Sequence, residues 1–355
     1  MTSRLALIVA ISATLLACAT GSRPGAVRMD AIRRAHVWTK TNVSAMDIKT
    51  GPTGKGAFPA EATVTCEYVE KKMTGRSPKF TCKIPPDDEV KVKFGPDNGE
   101  VYGEVAASRL LWALGFGADR MYPVRVVCKG CPPHIVGTDV AAIERKMSGE
   151  ELESDIESGW AWRELDLVDP DEGGATRAER DALKLLAVFM QHTDSKSVQQ
   201  RLLCVDGAST DGAANGDGGA KPDAKSCEET FMFVQDVGLT FGRATKTNLA
   251  ANGSANLGDW AATPIWRDPG RCIANIRKSN TGTLANPRIS EEGRKFLAGL
   301  LTQLTDQQLR DLFEVARFAR RPASPDRPGA VGTIDQWVEA FKQKRSQIVD
   351  HVCPS

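Results

Sequence analysis

The sequence has almost no excess of charge of either sign, few histidines and none of the common hydrolase motifs. Its 46 lysines and arginines nearly balance 45 aspartates and glutamates, and no basic run stands out. Because nucleic acids are bound through concentrated positive charge, no nucleic acid partner is expected. The four histidines are scattered, and neither a Gly-x-Ser-x-Gly elbow nor a His-Glu-x-x-His helix occurs. Serine hydrolase and zinc protease functions of those classes are therefore not supported.

Long apolar runs are also missing, apart from one near the start of the sequence. Arg4 is followed by apolar or small residues over 5–16, a run shorter than the ~20 apolar residues that span a bilayer. A basic residue before a short apolar run is typical of a secretory signal. The ending Leu15-Leu16-Ala17-Cys18 resembles a lipobox. It predicts a signal peptide over 1–17 and a lipid on Cys18, with a plain cleaved signal peptide as the alternative.

A lipid on Cys18 would anchor an otherwise exported chain to a membrane. Residues 18–37 are predicted to form the tether, because the stretch 19–28 is small and turn-forming. We therefore expect a protein of the cell envelope, anchored by its lipid at the periplasmic face of the outer membrane. The chain is 41% hydrophobic, and the part after the tether is long enough for a two-lobed domain.

The nine cysteines become an even number once Cys18 carries lipid. In an exported chain an even count indicates disulfides, although sequence alone does not fix their pairing. Local context favours three pairs and leaves a fourth: Cys66–Cys82, Cys128–Cys131, Cys204–Cys227 and Cys272–Cys353. The motif Cys128-Lys129-Gly130-Cys131 could also be half of a zinc site or a redox pair. A zinc site needs two further ligands, and no second pair has matching spacing.

The first half of the chain is predicted to be a small sheet with one helix. Alternating residues around a turn-forming stretch predict a hairpin, and Ala-rich and Leu-rich residues before Gly115 predict a helix. The third strand places Lys91 and Lys93 on the face opposite Val90 and Val92. The predicted elements are, in order, a hairpin over 62–83, a strand over 89–94, a helix over 100–114 and strands over 124–128 and 138–146.

The second half is predicted to be mainly helical. Thr176 and Thr305 each begin a helix with a capping box, since Glu179 and Gln308 follow three residues later. A Gly-, Ala- and Asp-rich stretch over 207–224 has no periodicity and is interpreted as a disordered insertion. The predicted elements are helices over 176–191, from 305 onward and over 334–352, and strands over 202–205 and 231–235.

Five features follow one another in a fixed order along this pattern. They are a strand lysine, Lys93; a helix glutamate, Glu104; a loop aspartate after a helix, Asp194; a hairpin; and an aspartate before glycine, Asp236. This order resembles a protein-kinase-like fold. The resemblance implies an α+β, two-lobed protein with a small β-rich N-lobe containing one helix over 38–147. A larger, mainly helical C-lobe over 148–355 would follow.

Two loops and one helix carry the resemblance. The first loop has Asp194, Lys196 and Gln199 where kinases have Asp, Lys and Asn. The second reads Asp-x-Gly-x-x-Phe-Gly from Asp236 and resembles the metal-binding segment of secretory-pathway kinases related to Golgi casein kinase. It is more distantly similar to that of HipA-type kinases. The helix segment over 103–116 also resembles the glutamate-bearing helix of the secretory-pathway kinases.

The resemblance implies a nucleotide and a metal as cofactors. Lys93, held by Glu104, would orient the phosphates of an ATP-like nucleotide. Asp236 and Gln199 would bind Mg²⁺ or Mn²⁺. Gln199 replaces the usual asparagine, and its longer side chain must fold back to reach a metal.

The implied reaction is phosphoryl transfer to a hydroxyl group of an unknown protein or small-molecule substrate. Asp194 would accept the hydroxyl proton, and Lys196 would neutralise charge on the transferring group. Transfer of a nucleotidyl group is an open alternative. A further alternative is a catalytically inactive kinase-like lipoprotein that binds a cell-envelope partner, since ATP is scarce outside the cytoplasm.

Two further features lie near these motifs in the sequence, a glycine-containing stretch and a histidine. The glycine-containing stretch over 50–58 precedes the first hairpin and is a candidate phosphate-covering loop, although its glycine spacing is not that of a Walker A motif. His192 lies beside the first loop and is interpreted as structural.

Overall fold

The computed structural model describes residues 24–152, 159–205, 227–242, 253–323 and 329–354. The predicted signal peptide, the lipobox with Cys18 and the insertion over 207–224 lie outside the described residues. Those three expectations therefore stay predictions. None of the helices within the described ranges combines the length and apolarity that crossing a bilayer requires.

The protein is a mixed α/β structure with strands concentrated in the first half. The helices are α1 (Pro24–Arg33), α2 (Gly99–Ala113), α3 (Arg177–Met190), α4 (Leu257–Ala262), α5 (Glu291–Leu301), α6 (Asp306–Val315) and α7 (Ile334–Val349). The strands are β1 (Ala62–Val69), β2 (Lys79–Ile84), β3 (Asp88–Phe94), β4 (Arg120–Lys129), β5 (Ala141–Arg145), β6 (Glu150–Glu151), β7 (Gln200–Cys204), β8 (Thr230–Val234), β9 (Trp266–Asp268) and β10 (Ile273–Ala274).

The first five strands close into a barrel. Their order is β1-β2-β3-β5-β4, and β1 completes the ring by pairing parallel with β4. Because side chains alternate along a strand, Val90, Val92 and Phe94 of β3 enter the barrel core. Lys93 lies on the other face of β3, toward α2, as predicted.

Helix α2 packs against the barrel and begins and ends close to the predicted positions. Asn98 caps its start by accepting a hydrogen bond from the main-chain nitrogen of Glu100. At its end Gly115 has φ +86°, and a Cβ there would lie 2.0 Å from the carbonyl oxygen of Thr39. Glycine at this position therefore allows both the left-handed conformation and the close approach of the neighbouring chain.

The second half supplies the loops that follow α3 and β8. Both predicted capping boxes are present: Thr176 with Glu179 at α3, and Thr305 with Gln308 at α6. Helix α3 ends at Gln191, which has φ +56°. Strand β7 pairs antiparallel with β8, and β6 pairs with β7 on its other side. Helix α5 and the short α4 were not predicted.

An aromatic cluster fixes the segment that follows β8. Phe241 is fully buried, and its ring centroid lies 5.2 Å from that of Trp260 on α4 and 6.0 Å from that of Phe313 on α6. The ring of Trp337 on α7 stacks on Phe313 at 5.4 Å. Since aromatic pairs of this kind add to the energy of burial, the cluster anchors the end of the Asp-x-Gly-x-x-Phe-Gly segment in the core.

The structure brings the eight cysteines other than Cys18 together in the four expected pairs. The Cα–Cα distances are 5.7 Å for Cys66–Cys82, Cys128–Cys131 and Cys204–Cys227, and 5.5 Å for Cys272–Cys353. These distances are those of disulfides. The Cys128–Cys131 pair therefore forms its own bond instead of half of a zinc site. Four disulfides are compatible with a periplasmic or extracellular location.

The structure differs from the predicted tether over residues 18–37. Residues 24–33 form helix α1, and Ala31, Ile32, Ala35 and Val37 are fully buried. The hydroxyl of Thr230 on β8 donates to the carbonyl oxygen of Ala31 at 2.7 Å. The second part of the expected tether therefore belongs to the packed domain, because its apolar side chains find partners far along the chain.

Candidate active site

Lys93 is the centre of a buried charge cluster. Its side chain is 1% exposed, and its ammonium lies 2.7 Å from Glu104 Oε2, 3.2 Å from Glu100 Oε2 and 3.3 Å from Asp236 Oδ1. Glu100 and Glu104 are separated by one turn of α2 and therefore face the same strand. The predicted contact between Lys93 and Glu104 is present, Asp236 joins it, and Glu100 is a participant that the sequence interpretation missed.

The protonation of this cluster follows from its surplus of carboxylates. Burial alone would lower the pKa of Lys93, but the charges of Asp236 and Glu104 outweigh it and hold that pKa well above its ordinary value. Burial raises the pKa of Glu104 to about 8, although Lys93 opposes the rise. For Asp236 the neighbouring Lys93 overcomes burial and lowers the pKa. Lys93 and Asp236 are thus both charged, and Glu104 is the carboxyl that most readily retains a proton.

The Asp236 segment lies directly against α2 because two glycines face each other there. A Cβ on Gly103 would lie 2.9 Å from the carbonyl oxygen of Gly238, and a Cβ on Gly238 would lie 2.8 Å from Cγ of Glu100. The hydroxyl of Thr240 donates to the carbonyl oxygen of Gly103 at 3.2 Å. The main-chain nitrogen of Gly238 donates to Asp236 Oδ1 at 3.3 Å. These contacts fix the carboxylate of Asp236 beside Lys93.

The loop after α3 presents a second buried carboxylate, Asp194. Its Oδ2 lies 3.1 Å from the ammonium of Lys196 and accepts a hydrogen bond from the side-chain amide of Gln199 at 3.2 Å. Its Oδ1 is buried and has no hydrogen-bond partner among the described residues. Burial raises the pKa of Asp194, and Lys196 opposes the rise. A free oxygen on a raised-pKa carboxylate suits a proton acceptor.

Main-chain hydrogen bonds hold the two aspartate loops together. The nitrogen of Thr193 donates to the carbonyl oxygen of Leu239 at 3.2 Å, and the nitrogen of Phe241 donates to that of Met190 at 2.7 Å. The carbonyl oxygen of Gln199 accepts from Gln235 at 2.9 Å and from Asp236 at 3.4 Å. The structure therefore brings the Asp194 loop and the Asp236 loop together, as the order of the sequence predicted.

His192 is fully buried at the start of the Asp194 loop. Neither ring nitrogen has a hydrogen-bond partner among the described residues, and the ring lies 6.1 Å from that of Trp162. Burial lowers the pKa of His192 to about 4, so the imidazole is neutral at physiological pH. These properties are those of a packing residue, in agreement with its structural interpretation.

The stretch over 50–58 lies at the opposite end of the barrel from Lys93, which corrects the expected phosphate-covering loop. The carbonyl oxygen of Gly56 accepts from the guanidinium of Arg145, which also binds Asp88 at the start of β3. Asp88 and Lys93 are five residues apart on one strand, or about 17 Å at ~3.3 Å per residue. The glycine spacing alone could not reveal which end of the barrel this stretch reaches.

The β1–β2 connection is the glycine-containing turn next to Lys93. Lys79 is the cross-strand partner of Lys93 in the β2–β3 register. A Cβ on Gly75, at φ +84°, would lie 2.8 Å from the Lys79 ammonium. A cavity of about 570 Å³ opens here, lined by this turn, the connection between β3 and α2 and the β4–β5 connection. The sequence interpretation treated the turn only as a hairpin and missed Gly75 and Lys79.

A distant similarity to a solved kinase structure accompanies this geometry. The chain is similar to the crystal structure of the proinflammatory kinase CtkA of Helicobacter pylori, with 10% sequence identity and a TM-score of 0.43, over 82% of this chain and 96% of that chain. No protein-family model matches the chain, and comparison with curated proteins finds no match. Similarity at this level does not assign an activity, which has to be inferred from the contacts of the site.

Proposed function

We propose that the chain is an exported, kinase-like phosphotransferase that depends on Mg²⁺ or Mn²⁺ and acts on a hydroxyl acceptor. The observation that carries this proposal is the position of Lys93 between Glu104 of α2 and Asp236 of the loop after β8. In protein kinases a strand lysine is active when a helix glutamate pairs with it and an aspartate of a later loop binds the metal. The barrel with α2 would be the N-lobe of a two-lobed enzyme.

Each charged group has a role in this proposal. Lys93 orients the nucleotide phosphates while Glu104 holds its ammonium. Asp236 holds the metal, which supplies positive charge to the transferring phosphate. Asp194 Oδ1 accepts the proton of the acceptor hydroxyl, and Lys196 stabilises negative charge nearby.

The β1–β2 connection takes the part of the phosphate-covering loop in this proposal. Lys79 lies across from Lys93 on the neighbouring strand, under the turn at Gly75. Main-chain groups at a glycine turn can approach phosphates closely because no side chain intervenes. Two lysines side by side suit the successive phosphates of an ATP-like nucleotide.

Ligand-dependent thermal stabilisation tests the proposal. With Mn²⁺ and a nucleotide at about 100 times its Kd, stabilisation is expected to be about 2.7 kcal/mol if the ligand binds only the folded chain. Asp236→Ala should lose the metal-dependent part of this shift, whereas Asp87→Ala in the β2–β3 connection should retain it, because the Asp87 side chain is 88% exposed. Wild-type protein that gives no shift with any nucleotide and either metal would contradict the proposal.

The second candidate is a catalytically inactive kinase-like protein that binds a cell-envelope partner. It is favoured by Gln199, which stands where kinases have a metal-binding asparagine. The side-chain amide of Gln199 donates a hydrogen bond to Asp194. Gln199→Asn distinguishes the two functions in a transfer assay read by mass spectrometry for phosphate and nucleotidyl adducts. If wild type and variant are both inert while the protein captures a specific envelope partner, the binding function is correct. A nucleotidyl adduct would change the reaction while leaving the site in place.

Anchoring through Cys18 is part of the proposal. The predicted lipid would place the site in the envelope, where the partner or substrate must also be found. Cys18→Ser is expected to move the protein from the membrane fraction to the soluble periplasmic fraction, while the Mn²⁺-nucleotide thermal shift stays unchanged. If the variant remains in the membrane fraction, the predicted lipid anchor on Cys18 is wrong.

A further inference from the structure

Glu100 lies in the charge cluster without a role in the reaction described above. It is on the first turn of α2 and is 8% exposed, with Oε2 3.2 Å from the ammonium of Lys93. The Asp236 segment packs on it, since a Cβ on Gly238 would lie within 3.1 Å of its Cβ, Cγ and Cδ. The side chain is therefore held between α2 and Asp236.

The cluster gathers three carboxyl groups around one buried ammonium. Glu100, Glu104 and Asp236 all contact the single ammonium of Lys93. Burying unbalanced carboxylates is costly unless a cation compensates them. In addition, Glu104 is fully buried, and its Oε1 has no hydrogen-bond partner among the described residues. A buried carboxyl oxygen without a hydrogen-bond partner, in a cluster of three carboxyl groups, is an acceptor that a further cation would satisfy.

The distances divide the three carboxylates into two kinds. Glu104 is the closest partner of Lys93, at 2.7 Å. Glu100 and Asp236 are farther, at 3.2 Å and 3.3 Å. Glu100 and Asp236 both accept a hydrogen bond from the Lys93 ammonium, so these two carboxylates already share one cation and are the pair placed to share a metal ion.

The residue expected as the second metal ligand is engaged elsewhere. The side-chain nitrogen of Gln199 donates to Asp194 Oδ2 at 3.2 Å, so its amide holds the proposed base. That hydrogen bond orients the amide through its nitrogen, and a carboxylate beside Asp236 would be a stronger ligand than the remaining neutral amide oxygen. Carboxylate oxygens suit Mg²⁺ and Mn²⁺, which prefer hard oxygen ligands, and Glu100 is the carboxylate beside Asp236 that has no other assigned role.

We propose that Glu100 is a metal ligand and that the catalytic cation binds between Glu100 of α2 and Asp236, in place of the asparagine-type site. This inference rests on the proposed metal-dependent function and names the second ligand of that site. It gives α2 two separate tasks one turn apart. Glu104 holds Lys93, and Glu100 binds the metal.

Binding of Mn²⁺ to the full chain tests the role of Glu100 independently of activity. Free Mn²⁺ is measured by electron paramagnetic resonance during titration, with Mn²⁺ alone and with Mn²⁺ plus ADP. Glu100→Gln keeps the shape and removes the charge, and we expect it to raise the Kd for Mn²⁺ by about tenfold or more. Glu89→Gln is the matched control, because Glu89 is an exposed carboxylate on the same strand as Lys93 that pairs with Lys71. Its Kd should stay at the wild-type value.

The outcomes separate this inference from the proposed function. If Asp236→Asn loses Mn²⁺ while Glu100→Gln binds like wild type, the role of Glu100 is wrong and the metal-dependent function stands. If wild-type protein binds no Mn²⁺ with or without ADP, the metal-dependent function itself is wrong. Circular dichroism checks folding. Should Glu100→Gln not fold, Glu100→Asp decides in the same way, since it keeps the charge and withdraws the carboxylate by one methylene.

Discussion

Two buried lysines, one in each half of the molecule, are held in opposite ways. Lys93 and Lys344 are each 1% exposed. Lys93 contacts three carboxylates, whose charge keeps its pKa above the ordinary value despite burial. Lys344 on α7 donates to the carbonyl oxygens of Trp260 at 3.2 Å and Thr263 at 2.6 Å, and burial lowers its pKa to about 7.

The difference is the one expected between a structural lysine and the proposed functional lysine. The hydrogen bonds of Lys344 go to neutral carbonyl oxygens, so this lysine links α7 to α4 without a carboxylate partner. Three carboxyl groups contact the one ammonium of Lys93, and burying such a charged group is costly for stability. Perturbed charge clusters of this kind are concentrated at functional sites. Two lysine substitutions test this comparison, and removal of a disulfide tests how the loops beside Lys93 are held.

Removing Lys93 is expected to have the largest effect. Lys93→Met leaves the buried carboxylates without their counter-charge, and we expect the free energy of unfolding to fall by about 3–5 kcal/mol. Urea denaturation measures the change. Lys83→Met is the control, because Lys83 is exposed on β2 and its ion pair with Asp87 is 3.8 Å long; its change should be within about 0.5 kcal/mol. A loss no greater than that of the control would show that the carboxylates do not depend on Lys93.

The disulfide between Cys204 and Cys227 is expected to have the next largest effect. It joins β7 and β8 across a separation of 23 residues, and these strands link the loops of Asp194 and Asp236. Replacing both cysteines by serine should lower the free energy of unfolding by about 3 kcal/mol and abolish the nucleotide-dependent shift. Calorimetry measures both quantities.

The control for the disulfide prediction removes the predicted insertion and keeps the bond. Deletion of residues 207–224 should leave the melting temperature and the nucleotide-dependent shift close to their wild-type values. If the double serine variant also keeps both, the bond is dispensable and the loops are held by their main-chain hydrogen bonds alone.

Removing Lys344 is expected to have the smallest effect, and one that depends on pH. Because the pKa of Lys344 is lowered to about 7 in the folded chain, the unfolded chain binds a proton more tightly above that pH. Wild-type stability should therefore fall as the pH decreases toward about 7 and stay level below it with respect to this lysine. Lys344→Met does not titrate.

The measurement is urea denaturation of wild type and Lys344→Met at about pH 9 and about pH 7. We expect the difference in stability between them to move in favour of methionine by about 2 kcal/mol on lowering the pH from about 9 to about 7, since one proton supplies up to ~1.4 kcal/mol per pH unit. Parallel pH dependence of the two proteins would mean that Lys344 keeps its charge, and the contrast with Lys93 would disappear.

The sequence predicted the parts of the site that depend on order and period. A strand of period two and a helix were predicted from the residues, the resemblance to kinases assigned Lys93 and Glu104 on them to the site, and capping boxes marked the beginnings of α3 and α6. Glu100 was also accessible, because it precedes Glu104 by four residues and so shares its helix face. The resemblance had already assigned one glutamate to Lys93, and the second was overlooked.

Other features depend on contacts that no local pattern contains. Helix α1 is buried through partners such as Thr230, about 200 residues away. The end of the barrel at which the stretch over 50–58 lies is set by its hydrogen bond with Arg145. The position of the turn at Gly75 next to Lys93 is set by the register of β2 on β3. Such long-range pairings decide which glycine turn reaches the charged site.

The contact between Gly103 and Gly238 has a mechanical consequence. With no side chain between them, α2 cannot swing outward without separating main-chain atoms that touch and breaking the hydrogen bond from Thr240. Many kinases are switched by moving the glutamate-bearing helix relative to the metal-binding loop. Here α2 and the loop after β8 are packed directly on each other, so a movement of that kind would first have to open this contact.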